Sequence, residues 1–272
     1  MVPVRALAAA AALTLAFAPR LAAAIDRFEI QVYESDINEP GEFGLELHLN
    51  YTVQGSKEPE FEGQVPPWHT FRVTLEPAVG VTEWLELGAY LQFMTAPGGV
   101  AEYGGSKLRA KFVVPERLSG PWMLGLNVEI GRVPKSVEEQ QWANEFRPIL
   151  GWRGGRWLVS VNPIFGFALT GPNAFRPDLE PCGKVAWDTR LGFSVGAEYF
   201  TSLGFMNDLL PASEQEHLLF AVVDLVPRSP EPAAGGSPPH ASPWELNVGV
   251  GWALTDAPGP HVLVKAIVGR SF

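Results

Sequence analysis

The stretch His261-Val-Leu-Val-Lys-Ala-Ile-Val-Gly-Arg-Ser-Phe272 ends the chain and decides its fold. Two sets of residues alternate along it. One set contains only small or branched apolar residues, and the other contains both apolar and polar residues. The first set is Val262, Val264, Ala266 and Val268, and the second is Leu263, Lys265, Ile267 and Gly269. Because successive side chains of a strand point to opposite faces, this period of two predicts a β-strand that reaches the C-terminus.

The same alternation runs along nearly the whole chain. The mean hydropathy is +0.05 although 46% of the residues are apolar, so apolar residues are spread about one in two rather than gathered into runs. Lipid outside and polar groups inside a β-barrel require this distribution. The fold predicted is all-β, a transmembrane antiparallel up-and-down β-barrel of about 12 strands. A soluble secreted β-protein is the alternative.

Residues 1–24 predict a secretory signal peptide, and residues 25–272 the barrel. Arg5 precedes an apolar run, Ala6 to Ala18, that is too short to span a bilayer as a helix. Small residues end this segment, so we place the cleavage after Ala24. Removing 24 of 272 residues leaves 248 and shifts the net charge from −10 to −12, because the leader holds two arginines and no acid. This acidity argues against nucleic acid as a partner.

The twelve predicted strands are separated mostly by alternating long loops and short turns. Residues Ile25 to Pro40 precede them and are predicted to form a periplasmic lead-in. The long Pro-rich connection Pro227 to Pro243 is predicted to be irregular. The tenth strand, His217 to Val226, has apolar residues on both faces, so its facing stays open. The strands begin near Phe43, Trp68, Leu85, Leu108, Trp122, Trp142, Trp157, Leu179, Leu191, His217, Trp244 and His261.

The nine tryptophans give a separate indication of a membrane barrel, because each falls at a predicted strand end. Indole has a large apolar body and one N–H donor, so it favours the membrane interface. A soluble β-sandwich would bury some of them in mid-strand. The periplasmic ends carry Trp84, Trp122, Trp152, Trp157, Trp187 and Trp244, and the extracellular ends carry Trp68, Trp142 and Trp252.

The terminal strand with its final Phe272 resembles the closing strand of bacterial outer-membrane barrels. That resemblance implies that it pairs with the first strand and that Phe272 is part of the signal read by the outer-membrane assembly machinery. Arg270 departs from the pattern, since many members have an apolar residue there. The chain also resembles the outer-membrane proteins grouped with phenol meta-pathway degradation, through Ser194-Val-Gly-Ala-Glu-Tyr199, Leu85-Glu-Leu-Gly88 and Phe272. This second resemblance implies an uptake channel for small, often hydrophobic compounds.

Strand parity predicts an unusually charged inner face. We expect Arg109, Lys111 and Glu129, on adjacent strands, to pair with one another. These charged residues fill the lumen with ion pairs or line a narrow pore. The two interpretations are compatible. A barrel of about eight strands is filled by its own side chains, whereas 16 to 18 strands enclose an aqueous channel. The predicted lumen-lining residues are Glu46, His48, Arg72, Glu76, Glu86, Arg109, Lys111, Glu129, Lys184, Glu198, Glu245 and Lys265.

Enzymatic alternatives have weaker sequence support. His69, His217 and His261 fall near the extracellular rim, where a rim-active hydrolase would need them, but they have no ligand spacing for a metal. The lone Cys182 has no histidine nearby in sequence. We therefore expect no catalytic residue, cofactor or metal, and lipid, lipopolysaccharide and the assembly machinery as partners. The expected function is passive passage of small molecules; the alternatives are a rim hydrolase and a structural or surface-binding barrel without transport.

Overall fold

A computed structural model describes residues 25–225 and 244–272. The predicted signal peptide and the connection Pro227 to Pro243 lie outside these residues. Among the residues described, no helix combines the length and the hydropathy needed to cross a membrane. The architecture of this part of the chain is almost entirely β.

Sixteen strands and one short helix make up the described structure. In chain order they are β1 (Phe43–Gly55), β2 (Phe71–Thr82), β3 (Leu85–Thr95), β4 (Ala101–Val113), α1 (Glu116–Ser119), β5 (Trp122–Arg132), β6 (Trp142–Gly154), β7 (Trp157–Asn162), β8 (Phe165–Ala168), β9 (Pro177–Leu179), β10 (Cys182–Asp188), β11 (Ser194–Ser202), β12 (Gly204–Phe205), β13 (Asp208–Leu209), β14 (Glu216–Leu225), β15 (Trp244–Ala253) and β16 (Pro260–Ser271).

Twelve of these strands form a closed antiparallel barrel, so the predicted fold is confirmed. The wall runs from β1 to β7, continues through β10, β11, β14 and β15, and ends on β16. The terminal strand closes it: β16 pairs with β1, with Val264 opposite Tyr51, and with β15 on its other side. We call the end of the barrel that holds Phe43 and Phe272 the lower rim, and the opposite end the upper rim.

The outer surface is apolar and most of the inner surface is polar, as in other membrane barrels. Outward side chains such as Leu91 and Val161 are 44% and 45% exposed, whereas their inward neighbours Gln92 and Ser160 are fully buried. Tryptophans collect at the rims, where Trp122 lies opposite Trp152 and Trp157 opposite Trp187 near the lower one. The barrel therefore presents a lipid-facing belt bordered by interfacial aromatic residues.

Arg270, which departs from the expected apolar pattern, lies at the lower rim. Its guanidinium carbon lies 4.8 Å from the ring centroid of Trp244 and 4.7 Å from that of Phe272. Such cation–π contacts let an arginine occupy an outward position at the interface. Phe272 donates its backbone N–H to Phe43 at 2.8 Å, so the final residue is tied to the first strand. Its role as an assembly signal stays a prediction.

The seventh and eighth predicted strands are each interrupted at a proline, which lacks the N–H that a ladder needs. Pro163 separates β7 from β8, and Glu180-Pro181 separates β9 from β10. Pairing is partly maintained across the break, because Glu180 donates its backbone N–H to Ile164 at 3.0 Å. Towards the upper rim, β8 pairs with β6, and β9, β12 and β13 extend the sheet from β8.

The segment Ile25–Asn38, which we call the plug, lies inside the barrel, so the prediction of a periplasmic lead-in is wrong. Phe28, Ile30 and Val32 are at most 4% exposed. They fit inside because one wall of the lumen is apolar: Leu218, Phe220 and Val222 of β14 face inward and join a cluster with Ile30 and Val32. This packing also settles the facing of the tenth predicted strand, whose two faces are apolar because one meets lipid and the other meets the plug.

The chain leaves the plug at the lower rim through a contact that only glycine allows. A Cβ on Gly80 would collide with the backbone oxygens of Asn38 and Glu39. Gly41 donates its N–H to Gly80 at 2.8 Å, and Pro40 forms a bridge with the same residue. The absence of a side chain on β2 thus lets the plug pass close to the wall before β1 begins.

We expect Val128→Arg to destabilise the barrel in bilayers by about 2–4 kcal/mol, because Val128 faces lipid near the middle of β5. The matched control is Leu124→Arg on the same face, closer to the tryptophans of the lower rim, where an arginine is tolerated better. Urea titration of folding in lipid vesicles gives both values. Equal destabilisation at the two positions would contradict the depth assignment.

Candidate functional site

The plug spans the lumen from the upper rim to the lower rim. Near the upper rim Asp26 forms an ion pair with Lys107 at 2.5 Å, and Arg27 forms one with Glu60 of the β1–β2 loop at 3.0 Å. Near the lower rim Asn38 donates two hydrogen bonds, at 2.8 and 2.6 Å, to the Glu86 carboxylate. The described chain therefore starts at the upper end of the barrel and descends through it before the first strand.

Side chains of the wall satisfy the backbone oxygens of the plug. A buried carbonyl without a donor would be costly, and the plug has no continuous ladder with the wall. Donors from the wall replace that ladder at 2.7–3.3 Å. The pairs are Asn50 and Thr74 with the Phe28 oxygen, Lys265 with Ile30, Arg147 with Gln31, Ser160 and Asn162 with Tyr33, and Lys111 with Asp36.

Tyr33 is a buried anchor of the plug. Its backbone N–H donates to Asn162 Oδ1 at 2.6 Å, and its hydroxyl lies 2.5 Å from that of Tyr90. Three wall cations surround its ring: the distances to the ring centroid are 4.4 Å from Arg147, 5.0 Å from Lys111 and 6.0 Å from Arg109. One aromatic side chain thus covers three positive charges at the middle of the lumen.

Ion pairs hold the plug at several further levels. Glu29 is fully buried, and its carboxylate lies 3.3 Å from Arg147. Glu34 lies 3.1 Å from Lys184, which also contacts Asp224 at 3.0 Å. At the lower rim, Arg153 contacts both Glu34 and Asp36. The negative side chains of the plug are therefore matched by cations of the wall.

A cavity of about 180 Å³ lies beside the first residues of the plug, near the upper rim, and we call it the vestibule. Phe28, Met94 and Phe167 contribute apolar surface to it, and its cations are Arg27, Arg72 and Lys107. Burial, with the nearby Asp26 carboxylate, raises the pKa of the loop residue Glu138 to about 7. Carboxylates outnumber the cations; they are Asp26, Glu60, Glu129, Glu138, Glu139, Glu145, Asp178 and Glu180.

Comparison with known proteins supports the architecture. Neither a family model nor a curated protein matches the sequence. Among solved structures, the COG4313 outer membrane channel from Pseudomonas putida F1 superposes with a TM-score of 0.54 at 12% identity, over 90% of this chain and 100% of that one. The NanC porin gives 0.50 at 9% identity, over 84% and 98%. The chain therefore shares the β-barrel fold of these two proteins.

Similarity at this level of identity establishes the fold alone. Together with the lipid-facing belt, it identifies the protein as a β-barrel of the bacterial outer membrane. The narrower resemblance to proteins grouped with phenol meta-pathway degradation stays a prediction.

Most of the predicted lumen-lining residues have buried side chains in the structure, and many contact the plug or its neighbours. Glu46 is half-buried and Glu245 is exposed. The buried ones are His48, Arg72, Glu76, Glu86, Arg109, Lys111, Glu129, Lys184, Glu198 and Lys265. That they line a permeation path stays a proposal.

The expected pairing of Glu129 with Arg109 and Lys111 is not what the structure shows. Glu129 lies 3.2 Å from Lys107 and accepts hydrogen bonds from Tyr90 and Asn127. Arg109 instead contacts Glu76 at 2.6 Å and Glu86 at 2.8 Å. Long side chains in a packed lumen reach beyond the neighbouring strand, so adjacency in the sheet does not determine partners.

Sequence reasoning missed the uncharged residues that bind the plug. These residues are fully or almost fully buried, and each donates a hydrogen bond to a backbone oxygen of the plug. Thr74 and Ser160 donate through hydroxyls, and Asn50 and Asn162 donate through side-chain amides. Their parity, opposite to that of the lipid-facing residues, was the available signal. Only the charged members of the same face were singled out, because burying an unpaired charge costs more free energy than burying an unpaired neutral polar group.

The rim histidines do not assemble into a catalytic group. His69 Nδ1 lies 2.6 Å from the Tyr51 hydroxyl, His217 pairs in the same way with Tyr199, and His261 is exposed. The two tyrosine–histidine pairs lie on strand pairs β1–β2 and β11–β14, which are separated by β15 and β16. Cys182 is buried in the apolar cluster against the plug.

Proposed function

We propose that the protein is a passive outer-membrane channel for small molecules, including hydrophobic ones, and that the plug closes its lumen. The single observation that carries this proposal is the way the plug is held. It is attached through separate side-chain contacts rather than through a strand ladder. Each hydrogen bond of this kind contributes about 0.5–1.5 kcal/mol net, and water or a permeating molecule can replace it.

The vestibule supports a preference among permeating molecules. Its carboxylates outnumber its cations, so a negative potential favours neutral and cationic molecules over anions at the upper rim. Its phenylalanine and methionine side chains provide an apolar surface for a hydrophobic body. Both features favour small molecules that have an apolar body and are either neutral or positively charged.

Removal of residues 25–38 tests this function directly. In planar bilayers we expect the deletion variant to conduct several-fold better than the intact protein, and in liposome swelling to admit larger neutral solutes. The intact protein should show small or intermittent conductance. Two silent proteins, both folded, would favour the second candidate, a structural barrel without transport, which the filled lumen also suits.

The orientation of the barrel gives a further prediction. We expect the upper rim to face the cell exterior and lipopolysaccharide to surround it. An epitope inserted between Lys57 and Glu58, both exposed in the β1–β2 loop, should bind antibody on intact cells. An epitope at Ala233 should be reached only after permeabilisation. The reverse labelling would invert the orientation.

A further inference from the structure

Glu46, His48 and Glu76 bring three potential metal ligands together on the inner wall. Glu46 and His48 are two residues apart on β1 and share its inner face, and Glu76 lies directly opposite Glu46 on β2. His48 Nε2 lies 3.0 Å from Glu76 Oε2 and 3.6 Å from Glu46 Oε2. One atom from each of the three residues lies within 4.8 Å of the other two.

The two distances from His48 suit a tetrahedral metal site. Ligand bonds of about 2.0–2.2 Å place two ligands of a tetrahedral zinc ion roughly 3.3 Å apart, which lies between these two distances. An imidazole with carboxylates is a donor set for zinc and other first-row metals. His48 is fully buried, so its ring is held in place by packing.

The negative charges of the cluster also favour the binding of a cation. Like charges directly opposite on neighbouring strands destabilise a sheet. Arg109 Nε neutralises one side of this pair, because it lies 2.6 Å from Glu76 Oε1 and leaves Oε2 facing His48. Among the residues described, Glu46 has no comparable partner: its carboxylate lies 3.6 Å from His48 Nε2 and 3.4 Å from the Gln31 amide nitrogen.

Gln31 of the plug supplies an independent indication of a ligand. Its Nε2 makes the 3.4 Å contact with Glu46 Oε2, while its enclosed Oε1 has no hydrogen-bond partner among the residues described. A half-turn about the last bond of the side chain exchanges the two atoms. The amide oxygen would then face the cluster and provide a fourth ligand atom, beside the two carboxylate oxygens and the imidazole nitrogen.

We propose that Glu46, His48 and Glu76 bind a divalent first-row metal ion, with zinc the best match, and that Gln31 completes the site. The ion would join β1 and β2 to the plug and so hold the plug in the lumen. Calcium is a poor alternative, because it takes six to eight oxygen ligands. This site does not depend on transport, so its test is separate from that of the proposed function.

The test is metal binding by the refolded mature protein in detergent after removal of metals with a chelator. We expect one zinc ion per barrel after gel filtration, and a visible cobalt spectrum of tetrahedral type. The matched control is His261→Asn, since His261 is exposed at the end of β16. It should bind as the wild type does, whereas His48→Asn should lose stoichiometric zinc and the cobalt spectrum.

A second variant separates loss of a ligand from loss of the fold. Glu46→Gln keeps the shape of a half-buried side chain and removes one anionic ligand, so it should fold and still lose tight zinc binding. The proposal is overturned if the wild type binds no zinc, or if His48→Asn and Glu46→Gln bind as much as the wild type. Equal uptake of calcium and zinc would also overturn it, since the acids of the vestibule would then be the binding groups.

Discussion

Arg147→Met is expected to destabilise the folded barrel by about 3–5 kcal/mol, because it leaves a buried carboxylate without its counter-ion. Glu29 is fully buried on the plug, and its carboxylate lies 3.3 Å from the Arg147 guanidinium. Arg147 also donates to Glu145 at 2.7 Å and to the Gln31 carbonyl, and lies against the Tyr33 ring. One substitution therefore weakens the plug at three successive odd-numbered residues.

Unfolding by urea in lipid vesicles measures this effect. The matched control is Arg117→Met: this arginine pairs with Glu83 at an exposed position, where ion pairs contribute about 0–1 kcal/mol. The double variant Arg147→Met with Glu29→Gln should recover much of the loss, because the uncompensated charge is then removed. A single variant as stable as the control, or a double variant no more stable than the single one, would contradict the ion-pair account.

The barrel itself was predictable because lipid on one side and a mostly polar lumen on the other impose a period of two on most strands. The alternation of Val262, Val264, Ala266 and Val268 with Lys265 between them identified an outer and an inner face without knowledge of any neighbour. Tryptophans then marked the strand ends, since the interface selects them independently of strand pairing. Both signals are local, so a single sequence contains them.

The plug was not predictable, because its own pattern is that of a strand. Phe28, Ile30 and Val32 alternate with Glu29, Gln31 and Tyr33, which is equally typical of an extended segment at a surface. Inside the barrel the even-numbered set includes residues that meet the apolar inner face of β14, while Gln31 and Tyr33 meet polar residues of the wall. The location of an extended segment is a tertiary property, and alternation does not reveal it.

The ion pairs were not predictable for a related reason. Parity placed Arg109 and Glu129 on adjacent strands with both side chains facing the lumen, and in the structure the two residues lie directly opposite each other. Arg109 nevertheless crosses β3 to reach Glu76 on β2, and Gly88 makes room for it, since a Cβ there would lie 2.9 Å from Arg109 Nε. The choice of partner thus depends on a missing side chain on an intervening strand.

Tyr33→Ala is expected to open the lumen without unfolding the barrel. The ring of Tyr33 covers Arg147, Lys111 and Arg109, whereas its backbone bonds to Asn162 and Ser160 do not require the ring. Its loss leaves space at the middle of the plug and uncovers three positive charges. Conductance should therefore rise several-fold, and the current should shift towards anions.

Tyr33→Phe is the matched control, because it keeps the ring over the cations and removes only the hydroxyl contact with Tyr90. Its conductance and ion selectivity should stay close to those of the wild type. Single-channel recording under a salt gradient gives both quantities, since the sign of the reversal potential reports which ion passes. If Tyr33→Ala conducts more but favours cations, the vestibule carboxylates set the selectivity and the path avoids Tyr33. If both variants behave as the wild type, closure resides in other plug contacts, with the ion pair of Glu29 and Arg147 the next to remove.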